Sequence, residues 1–144
     1  MSTGTVVKDT SNQLNVNIET ANVFLGENSY ERAVLSNVAV TEETFEAGTI
    51  MGRISATGLL IPLAIGATDG SQHFVGVLTE NETIAASGTA NVTVAIQGRV
   101  AQDKLIFNAS EDLESVVGGR QLRDIIAGQG IKLVETTELS EFDN

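Results

Sequence analysis

The chain contains no cysteine and no tryptophan, and it has one proline, one histidine and one tyrosine. Without thiols it forms no disulfide and performs no thiol chemistry. A single histidine allows at most one histidine-based catalytic constellation and argues against a zinc site. Sugar cleavage needs two carboxylates facing each other across a cleft. No pair stands out among the many acids, and aromatic residues make up 4% of the chain, too few for a sugar-stacking platform. Basic side chains are also scarce, with 8 Lys and Arg against 19 Asp and Glu, a net charge of −11. Such a surface repels phosphate backbones, so nucleic acid is not an expected partner. No apolar run approaches the length of a membrane span. The densest, Leu59 to Ala67, is short and contains Pro62 and Gly66. The start, MSTGTVVKDTSNQ, lacks the charged-then-apolar layout of a signal peptide. The expectation is a soluble protein that does not leave the cytosol by the usual export route.

What is present favours strands. Val, Ile and Thr are plentiful, and 14 glycines punctuate the 144 residues, a length that suits one domain. Residues 1–13 are polar and read as an arm. Leu14, Val16 and Ile18 then alternate with polar residues up to Thr20, the signature of a strand with one apolar face. This segment stands apart from any hairpin partner. It either pairs within its own domain or adds to the sheet edge of another protein. Val34, Val38 and Val40 predict short extended pieces, and Glu42, Glu43 and Glu46 form an acidic strip. The strip lacks the spacing of a calcium loop and reads as a solvated face.

From Thr49 the pattern sharpens. Strands are expected at Thr49–Ile54, Leu59–Leu63, His73–Leu78 and Thr89–Arg99, with turns at 55–58, 68–71 and 86–89. Gly58 is expected to supply a positive φ, and Gly98 to break or bulge its strand. Val92, Val94 and Ile96 share one side. Leu122, Ile125 and Ile126 fall on one helical face, with Gly128 and Gly130 as the stop and Ile131–Val134 as a closing strand. Residues 1–50 carry 2 basic and 7 acidic groups and residues 111–144 carry 3 and 8, whereas the middle is nearly neutral. The division expected is an extended N-terminal arm at 1–22, a β-rich domain at 23–136 and an acidic C-terminal tail at 137–144.

Chemistry has one focus, ATDGSQHF at 67–74, which holds His73 four residues after Asp69. A hydrolase reading makes His73 the base and Asp69 its orienter. No Gly-x-Ser-x-Gly elbow marks a nucleophile. Asp-Gly opening an alternating apolar run reads better as a turn entering a strand. GGRQLRDIIAGQG has glycines at both ends of a helix but lacks the Lys-Ser/Thr of a phosphate loop. No catalytic, metal or cofactor residue is assigned.

The run FEAGTIMGRISATGLLIP at 45–62 resembles the lambda-type bacteriophage head decoration proteins. ATDG at 67–70 with VGVL at 75–78, then VTVAIQGRV at 92–100 followed by Leu105, resemble further segments of that family, in family order. The helical Leu122–Ala127 resembles its longer members. The resemblance implies a mostly β fold, a small β-tulip or barrel-like domain with one short C-terminal helix. It also implies a non-enzymatic homotrimer with no cofactor, bound to the major capsid protein at three-fold and quasi-three-fold positions on the outside of the expanded head. There it would act as cement against internal DNA pressure, made in the host cytoplasm and free of nucleic acid and membrane contacts. Its N-terminal arm would add a strand to the capsid protein, which makes Leu14, Val16 and Ile18 the expected capsid contacts. The acidic ends would face solvent. Two rivals are another virion surface or fibre-base module with an adhesive, receptor-binding role, and a small hydrolase using His73.

Overall fold

The computed structural model describes residues 23–108 and 110–135. The chain is mostly β, with one short C-terminal helix. Five strands close into a barrel: β1 (Ser29–Ser36), β3 (Ile50–Arg53), β4 (Leu60–Pro62), β5 (Phe74–Leu78) and β7 (Thr89–Ala101). The order runs β1-β4-β3-β5-β7, and β7 returns to pair antiparallel with β1 along the whole of β1, from Ser29↔Gln97 to Ser36↔Thr89. Closure removes the unpaired edges that an open sheet would present. β2 (Glu43–Phe45) and β6 (Glu82–Ile84) form a separate two-stranded ribbon. Outside the barrel, β8 (Val116–Val117) and β9 (Arg120–Gln121) make a hairpin, α1 spans Leu122–Gln129, and β10 (Ile131–Val134) pairs parallel with the end of β7.

β7 changes partner at Gly98. Up to Gln97 it pairs with β1; from Gly98 to Ala101 it pairs with β10. The expected irregularity is present, but the strand continues through it. Gly98 has a φ of 131°, a region that only glycine enters freely. A Cβ there would collide with Asn28, whose Oδ1 accepts a hydrogen bond from the Arg99 backbone N–H at 3.2 Å.

Two apolar clusters fill the fold. One takes a residue or more from every barrel strand, Leu35, Met51, Leu60, Leu78, Val92 and Val94 among them, together with Phe45 and Ile84 from the ribbon. Ile96 packs against it, so Val92, Val94 and Ile96 share a side as the alternation predicts. The other joins Ile50, Val77 and Val100 to Leu122 and Ile126 of α1 and to Ile131 of β10. Ile125 packs at its margin. α1 has no side-chain N-cap. Instead, the N–H groups of Leu122 and Arg123 donate to the carbonyls of Ser115 and Leu113, at 2.7 and 2.9 Å. This satisfies two of the four donors that a helix start leaves open. Gly130, at φ 111°, ends the helix in the left-handed conformation, whereas Gly128 lies within it.

Several expectations need correction. Val38 and Val40 are in no strand, because the chain leaves β1 at Ser36 and turns about Asn37. The buried Asn37 amide donates to the carbonyls of Thr41, Ile84 and Ala85 and accepts from the Ala39 N–H. That side chain replaces the strand ladder a Val-rich stretch would otherwise use. Gly118 and Gly119 do not lead into the helix; with φ of 61° and 84° they form the two-residue turn of the β8–β9 hairpin. β2 and β6 were not anticipated at all. The N-terminal arm and the tail from residue 136 lie outside the described residues.

Gly52 offers a clear test of packing. It is buried on β3, and a Cβ there would run into the backbone of Ser71. Gly52→Ala should lower stability by about 1–3 kcal/mol or more, whereas Gly66→Ala, which meets nothing within 4 Å, should stay within about 0.5 kcal/mol. Urea unfolding followed by circular dichroism reads both.

Candidate functional site

The segment around His73 folds into a clip. The Asp69 carboxylate accepts from the Ser71 hydroxyl at 2.6 Å and from the Ser71 N–H at 3.0 Å. These bonds, the hydroxyl first, hold its pKa below the usual carboxylate range. Ser71 is buried, and its carbonyl accepts from Ala64 while that of Asp69 accepts from Ser55. The clip thus ties the turn to the chain on both sides of β4. His73 is exposed, and its ring meets the Gln72 amide at 3.2 Å. Asp69 therefore serves Ser71 and does not orient His73, so the turn reading of this motif holds.

The surfaces that remain are extended. Leu14, Val16 and Ile18 lie outside the described residues, but the place where their segment joins the body is defined. Val23 to Leu25 lies against the end of β7. The Leu25 N–H donates to Arg99, the Ala101 N–H donates to Val23, and Phe24 bridges Val100. Arg99–Ala101 is thus held between this N-terminal root and β10. The chain leaves β10 at Glu135, so both ends of the described chain flank one strand end.

β2 pairs with β6 alone. Beside it runs a groove of about 490 Å³ lined by Phe45, Pro62, Ile106 and Phe107, with Glu43 and Glu46 also bordering it. A smaller hollow of about 210 Å³ shares Phe45 and Pro62 and reaches Val38. Val38 and Val40 stand 71% and 87% exposed on the loop that Asn37 pins. The acidic strip of Glu42, Glu43 and Glu46 is exposed, as its reading as a solvated face requires.

A third concavity, about 440 Å³, is bordered by Arg99, Arg123 and Lys132 with Gln102 and Glu135. Lys132 and Arg99 are register partners on adjacent strands, so two cations stand side by side in a chain with a net charge of −11. Arg123 is engaged by Glu114 at 2.8 Å, a bond that raises its pKa further. Sequence reading missed this cluster because its members sit on three elements, and only the parallel β7–β10 pairing brings them together.

The described residues thus form a closed β-barrel flanked by shallow hollows, with His73 exposed just ahead of β5. Residues 15–116 match the family model of bacteriophage lambda head decoration protein D. The match covers well over half of the 144 residues, and the chain belongs to that family. It is a phage head decoration protein, and its place is the virion capsid. Among curated proteins, none matches the chain. The family match reaches further towards the N-terminus than the sequence resemblance over 45–107 and takes in Val16 and Ile18. It stops before α1 and β10.

The clip predicts a pH signature. A carboxylate with a depressed pKa stabilises the fold above its unfolded value, near 3.9, and that stabilisation is lost as pH falls through the lower folded value. Asp69→Ala should therefore lower the urea midpoint near neutral pH, with the gap to wild type narrowing below about pH 3.9. His73→Ala should leave the midpoint near neutral pH unchanged, because the side chain is exposed.

Proposed function

We propose that the protein is a cement. It binds the outside of the expanded phage head as a homotrimer at three-fold and quasi-three-fold positions, bridges neighbouring major capsid subunits, and holds the shell against internal DNA pressure. It does this without catalysis. The observation that carries the reading is the family match over residues 15–116.

The N-terminal segment supplies the contact. Leu14, Val16 and Ile18 present one apolar face, and the backbone of the segment adds a strand to an edge of the capsid protein. Ordering the segment costs conformational entropy, which main-chain pairing and side-chain burial on the shell offset. Three linked arms make weak contacts sufficient, since the first to bind raises the effective concentration of the other two. A closed threefold ring leaves no open interface to propagate into a fibre. The reading is supported by the root at Val23–Leu25, which is anchored by main-chain bonds to β7, so a strain on the arm passes directly into the barrel.

Mixing the protein with expanded, undecorated heads and pelleting them should bring it down with the shells. Removing residues 1–20 should weaken that binding by roughly tenfold or more; unchanged affinity would reject the role of the arm. Light scattering or mass photometry should give a species of three 15.1 kDa chains, and a single chain on the shell would overturn the trimer.

A further inference from the structure

Of the 14 glycines in the chain, Gly70 alone follows an aspartate or an asparagine. An Asp-Gly step is the point of a backbone most open to isoaspartate formation, because glycine leaves its nitrogen unhindered and its backbone free to turn. The fold fixes this glycine and uses this aspartate. Gly70 sits at a φ of 107°, and a Cβ there would collide with the Ser55 hydroxyl and the Arg53 carbonyl. Asp69 supplies the carboxylate that accepts both Ser71 donors and so shapes the turn.

The modification is intramolecular. The Gly70 backbone nitrogen attacks Cγ of the protonated Asp69 carboxyl and forms an N–C bond. The amide hydrogen and the carboxyl hydroxyl leave as water, and a succinimide ring closes. Water then adds at one of the ring carbonyls. Opening at Cγ restores aspartate. Opening at the main-chain carbonyl leaves isoaspartate, with the backbone rerouted through the side chain and longer by one methylene. Water is the only co-reactant, and Asp69 is exposed to it.

We propose that Asp69–Gly70 is a latent isoaspartate site that Ser71 and Gln72 hold closed. Ser71 grips the carboxylate through its hydroxyl at 2.6 Å and its N–H at 3.0 Å, which denies the side chain the free rotation that ring closure needs. The Gly70 N–H, whose hydrogen must leave during ring closure, is donated to the Gln72 amide oxygen at 2.9 Å. The lowered pKa of Asp69 also keeps the reactive acid form scarce. Modification would reroute the chain between the Ser55–Asp69 and Ala64–Ser71 main-chain bonds, and so loosen both ties of the clip. A protein that sits on a virion is not resynthesised there, so the closed clip sets how long it lasts. The inference rests on the turn alone and stands whether or not the protein binds heads as a trimer.

The full chain is aged in mildly acidic buffer, both folded and, as the unprotected reference, in guanidinium chloride. Isoaspartate at residue 69 is read by mass spectrometry with electron-based fragmentation, which separates the two isomers of equal mass. Folded wild type should form it at least about tenfold more slowly than the unfolded chain. Ser71→Ala and Gln72→Ala, each checked for the wild-type circular dichroism spectrum, should form it severalfold faster than folded wild type. Ser71 is fully buried; should its variant fail to fold, Gln72→Ala, a change at a partly exposed side chain, decides. Equal rates in folded and unfolded wild type overturn the proposal. A folded Gln72→Ala chain that ages as slowly as wild type overturns it too, whatever Ser71→Ala shows, because the barrel as a whole would then give the protection.

Discussion

Everything in this fold hangs on β7. Its 13 residues pair with β1 to close the barrel, with β5 to continue it, with β10 to fasten the helical layer, and with Val23–Leu25 to fix the N-terminal root. Between its pairing with β1, which ends at Gln97, and its pairing with β10, which begins at Gly98, the backbone changes course. Gly98 provides that change at a φ that a side chain would oppose, and Asn28 fills the space a Cβ would need. The two apolar clusters divide neighbours on the same strand, Ile50 from Met51 on β3 and Val77 from Leu78 on β5, as the two faces of a sheet do. Val92 and Val94 pack in one, before the glycine, and Val100 in the other, after it.

Short apolar runs between turn signals made the barrel strands β3, β4 and β5 legible, and the alternation of Val92, Val94 and Ile96 did the same for β7. α1 was legible for the same reason at a different period. The ribbon β2–β6 was not. Its strands have three residues each and expose Glu43, Thr44 and Thr83, so neither shows a periodic apolar face. It is held by cross-strand contacts such as that between the hydroxyls of Thr44 and Thr83, 2.9 Å apart. The loop of Val38 and Val40 misled for the opposite reason. Its valines suggest a strand, but Asn37 withdraws the backbone by bonding to Ile84 and Ala85, which are 47 and 48 residues away. Such a partner is invisible to any local pattern.

The functional surface was legible in part. The local chemistry of Asp69 and His73 could be weighed from spacing alone, and the geometry bears out the turn. The family resemblance identified the class of protein. The concavity bordered by Arg99, Arg123 and Lys132 could not be read, since charges 24 and 9 positions apart become neighbours only through a parallel strand pairing. The same pairing shows that the two acidic ends of the sequence do not leave from opposite poles of the body.

The barrel has one thin seam. β1 and β4 meet in parallel at a single register pair, Leu35↔Leu60, whereas β1 and β7 are laced along the full length of β1. A tug on the chain ahead of Val23 reaches Arg99–Ala101 and spreads into the most heavily laced strand, bypassing the seam.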